Sequence, residues 1–172
     1  PDSWEGWYWG AMHHYGYSMR LGQTETYSLV EDLMKEAEMV VFWSADPECT
    51  SGSYSAFEGT PRRQWLKELG IEIVHIDPYY NHTAALLGGK WFAPRPGTDA
   101  AMAMAIAQVW MTEGTYDKKF VEERSVGFEA WRDYILGKDD GVPKTPEWQE
   151  PETGVPAKDV RALARRWASR KT

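Results

Sequence analysis

The sequence predicts an α/β domain of three layers, with a mostly parallel sheet and helices on both faces. Three observations predict it. Helical and strand patterns alternate along the chain at the spacing of βαβ units. The apolar run Met39–Trp43 is continuous rather than alternating, the mark of a strand covered on both faces, and a second strand-forming run follows at 71–76. Each run stops at a short polar turn, SADPECT after the first and DPYYN after the second.

The elements follow in order. Residues 1–22 set aromatics among Gly6, Gly10, Gly16 and Gly22 with no clean period, and read as an irregular packed segment with a short helix over 11–15. Leu29, Val30, Leu33 and Met34 recur at helical spacing over 27–36, with Thr26 or Ser28 as cap. The strand at 39–43 leads into a polar loop over 44–55 that contains Asp46-Pro47 and Gly52. A short amphipathic helix over 62–69 closes at Gly70. The strand at 71–76 stops at Asp77-Pro78, and 81–87 forms one or two helical turns. A short strand over 91–94 is limited by Pro94. The strongest helical stretch is 98–113: Thr98 as N-cap, Asp99 in the first turn, an Ala/Met-rich run in which Met102 and Met104 read as packing, then Gly114. Helices over 118–123 and 128–136 follow, then a Pro/Gly/Asp-rich connection over 137–154 in which Lys138-Asp139-Asp140 reads as a solvated turn. A final helix over 156–169 carries Val160, Leu163, Ala164 and Trp167 on one face. Crossovers in such a sheet are expected to be right-handed. Ligands are expected beyond the C-terminal strand ends, where strand order reverses.

Composition narrows the function classes. The chain has 172 residues, the size of one ordinary domain, and its 42% hydrophobic and 26% charged residues exclude native disorder. A net charge of -7 argues against nucleic-acid binding, which needs clustered Lys and Arg. The sequence contains no apolar run long enough for a membrane-spanning helix, and no membrane partner is expected. A single cysteine, Cys49, excludes an intramolecular disulfide and a Cys-only metal cage. The chain opens without Met and without a signal peptide, so it is expected to be one piece of a larger multidomain chain. A cytoplasmic location is expected, with the periplasm as the alternative, since any targeting signal would precede Pro1. Ten Trp and nine Tyr beside five Phe is an unusual balance. Packing explains any one of these rings; the walls of a pocket for an aromatic or polar organic ligand are the alternative.

Three strand ends carry polar loops that face one crevice if the strands are parallel neighbours. Asp77 is placed to accept two ribose hydroxyls. The Gly97-Thr98 turn leads to a helix N-terminus with unsatisfied N–H groups and partial positive charge. Asp99 there can accept the paired N–H donors of a guanine edge, and Arg95 can meet a phosphate or pair with Asp77. Ordinary readings compete: Asp77-Pro78 as a strand terminator, Thr98-Asp99 as a helix start, Asp46-Pro47 as a turn. His75 reads as a packed core residue, His82 as a surface helix start, and Cys49 as either a cofactor contact or an inert buried thiol. No G-x-G-x-x-G follows the first strand, and no Walker A motif is present.

The three loops taken together resemble one family. VVFWSADPECT, IEIVHIDPYYNHTA and WFAPRPGTDAAMAMAIAQVWMTEGTYDKKFVEERSVGFE, followed by TPEWQEPETGVPAKDVRALAR, are similar to the molybdopterin-guanine-dinucleotide oxidoreductases of the dimethyl sulfoxide reductase family. The family pattern has a W-G-x-N-P-like turn, a strand ending I-D-P, and P-G-T-D opening an Ala-rich helix. The chain departs from it at Ser44, where Gly is common, and at Asp46, where Asn is common; a carboxylate cannot donate as an amide does.

The resemblance implies a Rossmann-like dinucleotide-binding domain over 26–172 and an irregular aromatic-rich segment over 1–25 near a metal. It implies bis(molybdopterin guanine dinucleotide) and molybdenum as cofactors, with contacts at Trp43, Ser44, Asp46, Thr50, Ile76, Asp77, Pro78, Tyr80, Gly97 and Asp99. PDSWEGWYWGAMHHYG resembles the stretch around the protein ligand to molybdenum, which implies Ser3 as metal ligand and Asp2 as a neighbouring catalytic acid. An Asp-Ser pair in a Trp-rich context is similar to the branch that moves hydroxyl groups between polyphenols, pyrogallol to phloroglucinol. The implied partners are the remaining domains of the same large subunit, a smaller subunit carrying iron–sulfur clusters, and a small aromatic substrate. Sulfoxide or N-oxide reduction within the family is the alternative. Outside it stand a nicotinamide-dependent domain, which the missing glycine fingerprint opposes, and a Trp-rich sugar-binding module, which the α/β pattern opposes.

Overall fold

A computed structural model describes residues 30–49 and 59–170. The chain divides into two units, Pro1–Leu33 and Met34–Thr172. Of the first, only residues 30–33 are described, the opening of helix α1 (Val30–Glu36). The segment over 1–22 lies outside the described residues.

The second unit is built on three strands, β1 (Met39–Trp43), β2 (Glu72–Ile76) and β3 (Lys90–Phe92), all parallel and in the order β1-β2-β3. Helices α2 (Gly59–Glu68) and α3 (His82–Leu87) lie between the strands in sequence. After β3 come α4 (Asp99–Glu113), α5 (Lys118–Arg124), α6 (Phe128–Ile135), α7 (Pro146–Thr153) and α8 (Ala157–Ala168). The expected α/β architecture with a parallel sheet is present. One expectation is corrected: strand order does not reverse among the described strands, so they contain no switch point.

Strand alternation assigns the two sheet faces. On one face Met39, Val74, Ile76 and Phe92 join Met102, Ala105, Ile106 and Val109 of α4 and Val160, Leu163 and Ala164 of α8 in one core. Val41 and Trp43 pack against the same core. Helix α4 also touches α7 and α6, so it is covered on several sides, with Ala100 and Ala103 left exposed. That is why its sequence is apolar without a polar stripe, and why small Ala residues suit it. Burying side chains the size of Met102 and Ile106 stabilises the fold by about 1.5–3 kcal/mol each. On the opposite face the His75 ring stacks on Phe42 at 5.3 Å, and its Nε2–H donates to the Gly88 carbonyl at the end of α3 (2.9 Å). Burial pulls the His75 pKa down against the opposing pull of the Gly88 carbonyl and the Asp77 charge, so it is a neutral core residue. The tryptophans near the core also pack: Trp167 lies edge-on to Trp110 at 5.5 Å and tilted against Trp43 at 6.4 Å.

Part of the connection expected over 137–154 is a helix. Its signals were present but read as breakers. Thr145 caps α7 by accepting from Trp148 N, Pro146 stands in the first turn where its missing N–H costs nothing, and Gly154 ends the helix in the left-handed region. Asp140 is not merely a solvated turn residue. It pairs with Lys144, a buried ammonium that also donates to the Val142 carbonyl (2.7 Å) and lies 4.5 Å over the Tyr134 ring.

Gly89 lets the chain pass from α3 into β3. Its φ is +101°, and a Cβ there would stand 2.3 Å from the Ile73 carbonyl oxygen of the adjacent strand. Gly97 also has positive φ (+79°), but open space surrounds it. Gly89→Ala is therefore expected to destabilise the domain by about 2 kcal/mol or more and Gly97→Ala by only ~1 kcal/mol, as read by chemical denaturation. Equal losses would contradict this account of Gly89.

Candidate functional site

The C-terminal ends of the three parallel strands form one edge. Hydrogen bonds tie its loops together. Ser44 N donates to the Ile76 carbonyl (2.8 Å), and Asp77 N to the Phe92 carbonyl (3.1 Å). The Asn81 amide donates to both the Ala45 carbonyl (3.2 Å) and Asp77 Oδ2 (3.0 Å), linking the first loop to the second. The indole Nε1 of Trp43 donates to Asp99 Oδ1 (2.8 Å), and Ser44 Oγ donates to the same oxygen (3.1 Å), linking the first loop to the third. Asp46, Asp77 and Asp99 thus converge on this edge.

Asp99 opens α4. Both of its hydrogen bonds end on Oδ1, and none from the described residues reaches Oδ2. No protein acceptor is recorded among the described residues for the first N–H groups of α4, at Asp99 and Ala100. A carboxylate oxygen and a helix N-terminus therefore stand together at the strand ends, one suited to paired N–H donors and the other to an anion. Ser44 holds a left-handed conformation (φ 47°), which costs a non-glycine residue roughly 1–2 kcal/mol. Its bond to Asp99 offsets part of that cost.

The turn before Asp99 is anchored from an unexpected direction. Arg95 makes no ion pair with Asp77. Its Nη1 donates to the Pro151 (2.6 Å) and Glu152 (3.1 Å) carbonyls at the end of α7, and its N–H donates to the Thr153 carbonyl (2.8 Å). The reason is the negative end of a helix with unsatisfied carbonyls, a natural seat for a guanidinium.

Asp77 is buried, and each of its oxygens already accepts one bond: Oδ1 from Tyr79 N (3.2 Å) and Oδ2 from Asn81. Its backbone carbonyl accepts from Trp91 Nε1 (2.9 Å). Asp46 reaches across to α3. Oδ1 accepts from Thr83 N (3.0 Å) and Thr83 Oγ1 (2.7 Å); Oδ2 accepts from His82 N (3.3 Å) and His82 Nδ1 (3.1 Å). Burial pushes the Asp46 pKa up, but the bonds from Thr83 and His82 prevail and hold it down at about 2. Glu48 beside it, raised by burial, is held below the usual carboxylate range by Arg63 and Thr60.

The remaining expected contacts are placed as follows. The Ile76 side chain is fully buried in the core. Pro78 is exposed at the edge. Tyr80 is half-exposed, its ring edge-on to Trp91 at 5.3 Å and its hydroxyl on the Ala84 carbonyl. Gly97 is exposed in the turn before α4. Thr50, Asp2 and Ser3 lie outside the described residues. His82 does start a helix at the surface, and Cys49 is exposed rather than buried. Sequence reasoning missed Asn81 and Thr83, both buried. The Asn-x-x-Ala spacing of a capped helix start was the available signal for Asn81, which accepts from Ala84 N (2.9 Å). Elsewhere, a cavity of about 400 Å3 between α4, α5 and α6 is lined by rings such as Trp110, Phe120 and Trp131. It offers a nucleotide no convergent polar groups.

The Molybdopterin oxidoreductase family model matches residues 8–155. The chain belongs to that family. Membership implies molybdenum held by a molybdopterin cofactor. The chain is 59% identical over all 172 residues to the pyrogallol hydroxytransferase large subunit of Pelobacter acidigallici, of which it covers 20%. It is 34% identical over 149 residues, 81% of its length, to the dimethyl sulfoxide/trimethylamine N-oxide reductase of Rhodobacter capsulatus, of which it covers 17%. The structure of acetylene hydratase from Pelobacter acetylenicus has the same fold, with a TM-score of 0.57 at 24% identity over 76% of this chain and 16% of that one. The chain thus spans about a fifth of the length of the curated relatives it matches. No described helix is long and apolar enough to cross a membrane.

The Asp46 bonds carry a pH signature. An unfolded Asp titrates near 3.8 and the folded one at about 2, so the stabilisation is complete above the unfolded value and is lost as pH falls through the folded one. Asp46→Ala is expected to cost roughly 1–2 kcal/mol at neutral pH, with the gap to the parent protein closing toward acid, as read by urea unfolding. A gap that does not change with pH would assign the loss to something other than the carboxylate charge.

Proposed function

We propose that this chain holds one guanine dinucleotide end of a bis(molybdopterin guanine dinucleotide) cofactor in the catalytic subunit of a polyphenol hydroxyl-transferring molybdenum enzyme. The observation that carries the nucleotide assignment is the Asp99 carboxylate at the strand-end edge, fixed through Oδ1 and with no protein donor on Oδ2 among the described residues. Guanine offers two adjacent N–H donors, and only a base with that pair rewards a carboxylate there. The residues fit such a group. The N-terminus of α4 suits the anionic tail, and each Asp77 oxygen keeps a second lone pair for a ribose hydroxyl. Trp43, Ser44, Asp46, Thr50, Ile76, Pro78, Tyr80 and Gly97 complete the proposed contact loops, with Asp46 and Ile76 acting through their backbones.

The activity assignment rests on 59% identity over the whole chain to a protein named for pyrogallol hydroxytransfer. Under this reading Ser3 binds the metal and Asp2 exchanges a proton with a phenolic hydroxyl. Bound molybdenum supplies oxygen-transfer and redox chemistry, while the protein binds and orients. Hydroxyl transfer between polyphenols has no net redox change, so proton handling at the ring is the protein's main chemical task. The other domains of a large subunit and an iron–sulfur subunit are the proposed partners. Sulfoxide or N-oxide reduction is the second reading, favoured by the 34% identity to a reductase of that class.

Asp99→Asn replaces one acceptor oxygen with a donor and keeps the shape. In the full-length subunit it is expected to weaken retention of guanine nucleotide and molybdenum by about 1–3 kcal/mol, measured by metal analysis and nucleotide extraction after dilution. Unchanged retention would overturn the Asp99 assignment. Activity on pyrogallol without dimethyl sulfoxide reduction separates the first reading from the second.

A further inference from the structure

We propose that Asp46, Cys49 and His82 form a divalent-cation site of zinc-type chemistry where the loop after β1 meets the start of α3. One donor atom from each of the three residues lies within 4.8 Å of the other two. A tetrahedral ion with bonds of about 2.0–2.3 Å needs donor separations of roughly 3.3–3.8 Å. The His82 Nδ1 and Asp46 Oδ2 pair is already at 3.1 Å. Cys49 and His82 are exposed, so small side-chain rotations complete the set without disturbing the core.

The backbone is arranged for this. The peptide N–H of Cys49 donates to the Asp46 carbonyl (3.0 Å), a tight turn that folds the thiol back toward the carboxylate. The Asp46 carboxylate is oriented through Oδ1 by Thr83, whose side chain is fully buried. Such an orienting hydrogen bond is what metal-binding carboxylates generally have behind them. Capping of α3 accounts for the bonds from the His82 and Thr83 N–H groups to Asp46. It does not account for the imidazole and the thiol beside the same carboxylate.

The donor set selects the ion. One sulfur, one imidazole nitrogen and one carboxylate oxygen suit Zn2+, whereas Mg2+ and Ca2+ call for oxygen alone. Thiolate and carboxylate together balance the ion's two charges. On binding, Cys49 releases its thiol proton to solvent, and His82 moves its proton to Nε2 so that Nδ1 presents a lone pair. No electron changes hands. Three protein ligands leave a fourth position for water or an external anion. These donors are distinct from Ser3, the proposed molybdenum ligand.

The test uses the full-length subunit, stripped with a chelator and titrated with Co2+, then with Zn2+ in competition. The expected result is a thiolate-to-cobalt charge-transfer band in the near ultraviolet that is absent from Cys49→Ser, and Zn2+ affinity at least ~100-fold weaker in both Cys49→Ser and His82→Gln. Thr83→Val is expected to weaken Zn2+ binding about 10–100-fold while leaving the band in place. A parent protein without a Cys49-dependent band, or Zn2+ affinity unchanged in both Cys49→Ser and His82→Gln, would overturn the site. Guanine nucleotide content, measured on the same samples, reports separately on the cofactor reading.

Discussion

The tie between β1 and α4 at the strand-end edge depends on one carboxylate oxygen. Asp99 Oδ1 takes hydrogen bonds from the Trp43 indole and the Ser44 hydroxyl, and so ties the end of β1 to the beginning of α4. β1 and β3 flank β2 on opposite sides, so the turn from β3 must carry α4 across the sheet before Asp99 can reach Trp43. The Trp43 ring packs against the core on the face that α4 covers, which sets where its N–H points. The same bonds fix Asp99 through one oxygen and leave the other without a protein donor among the described residues. Core packing, the path of the chain and the chemistry of the edge are thus joined at one residue.

Much of this was legible in the residues. The continuous apolar strand Met39–Trp43, the I-D-P stop and the P-G-T-D helix start each have a local cause, and local causes can be read in order along a chain. The tertiary supports could not be read that way. Arg95 is bound to carbonyls of α7, more than fifty residues away, and no local pattern points to them. The helix α7 itself was hidden because Pro146, Pro151 and Gly154 look like breakers when counted. By position, Pro146 and Gly154 are a start and a stop. Asn81 and Thr83 look like solvated helix-start residues in sequence, yet burial makes them the connectors between Asp46, Asp77 and α3. The α7 carbonyls and α3 are therefore what hold the first and third loops in place.

The two departures from the family pattern have physical consequences of different kinds. Ser44 stands in a left-handed conformation that glycine would adopt freely, and gains a hydroxyl bond to Asp99 in return. Asp46 stands where an amide is common. As a carboxylate it accepts from four donors on His82 and Thr83, a load an amide oxygen could not carry alone. The loop after β1 is therefore locked to α3 by charge as well as by shape.

The most direct test of the tie between β1 and α4 is a double-mutant cycle on unfolding free energy, with Trp43→Phe, Asp99→Ala and the pair. Trp43→Phe removes the indole N–H and keeps a ring against the core. A coupling of about 1 kcal/mol or more between the two positions is expected, because the bond is partly buried and its acceptor is charged. Additive losses would mean that Asp99 is not held by Trp43, and the account of the strand-end edge would fail with it.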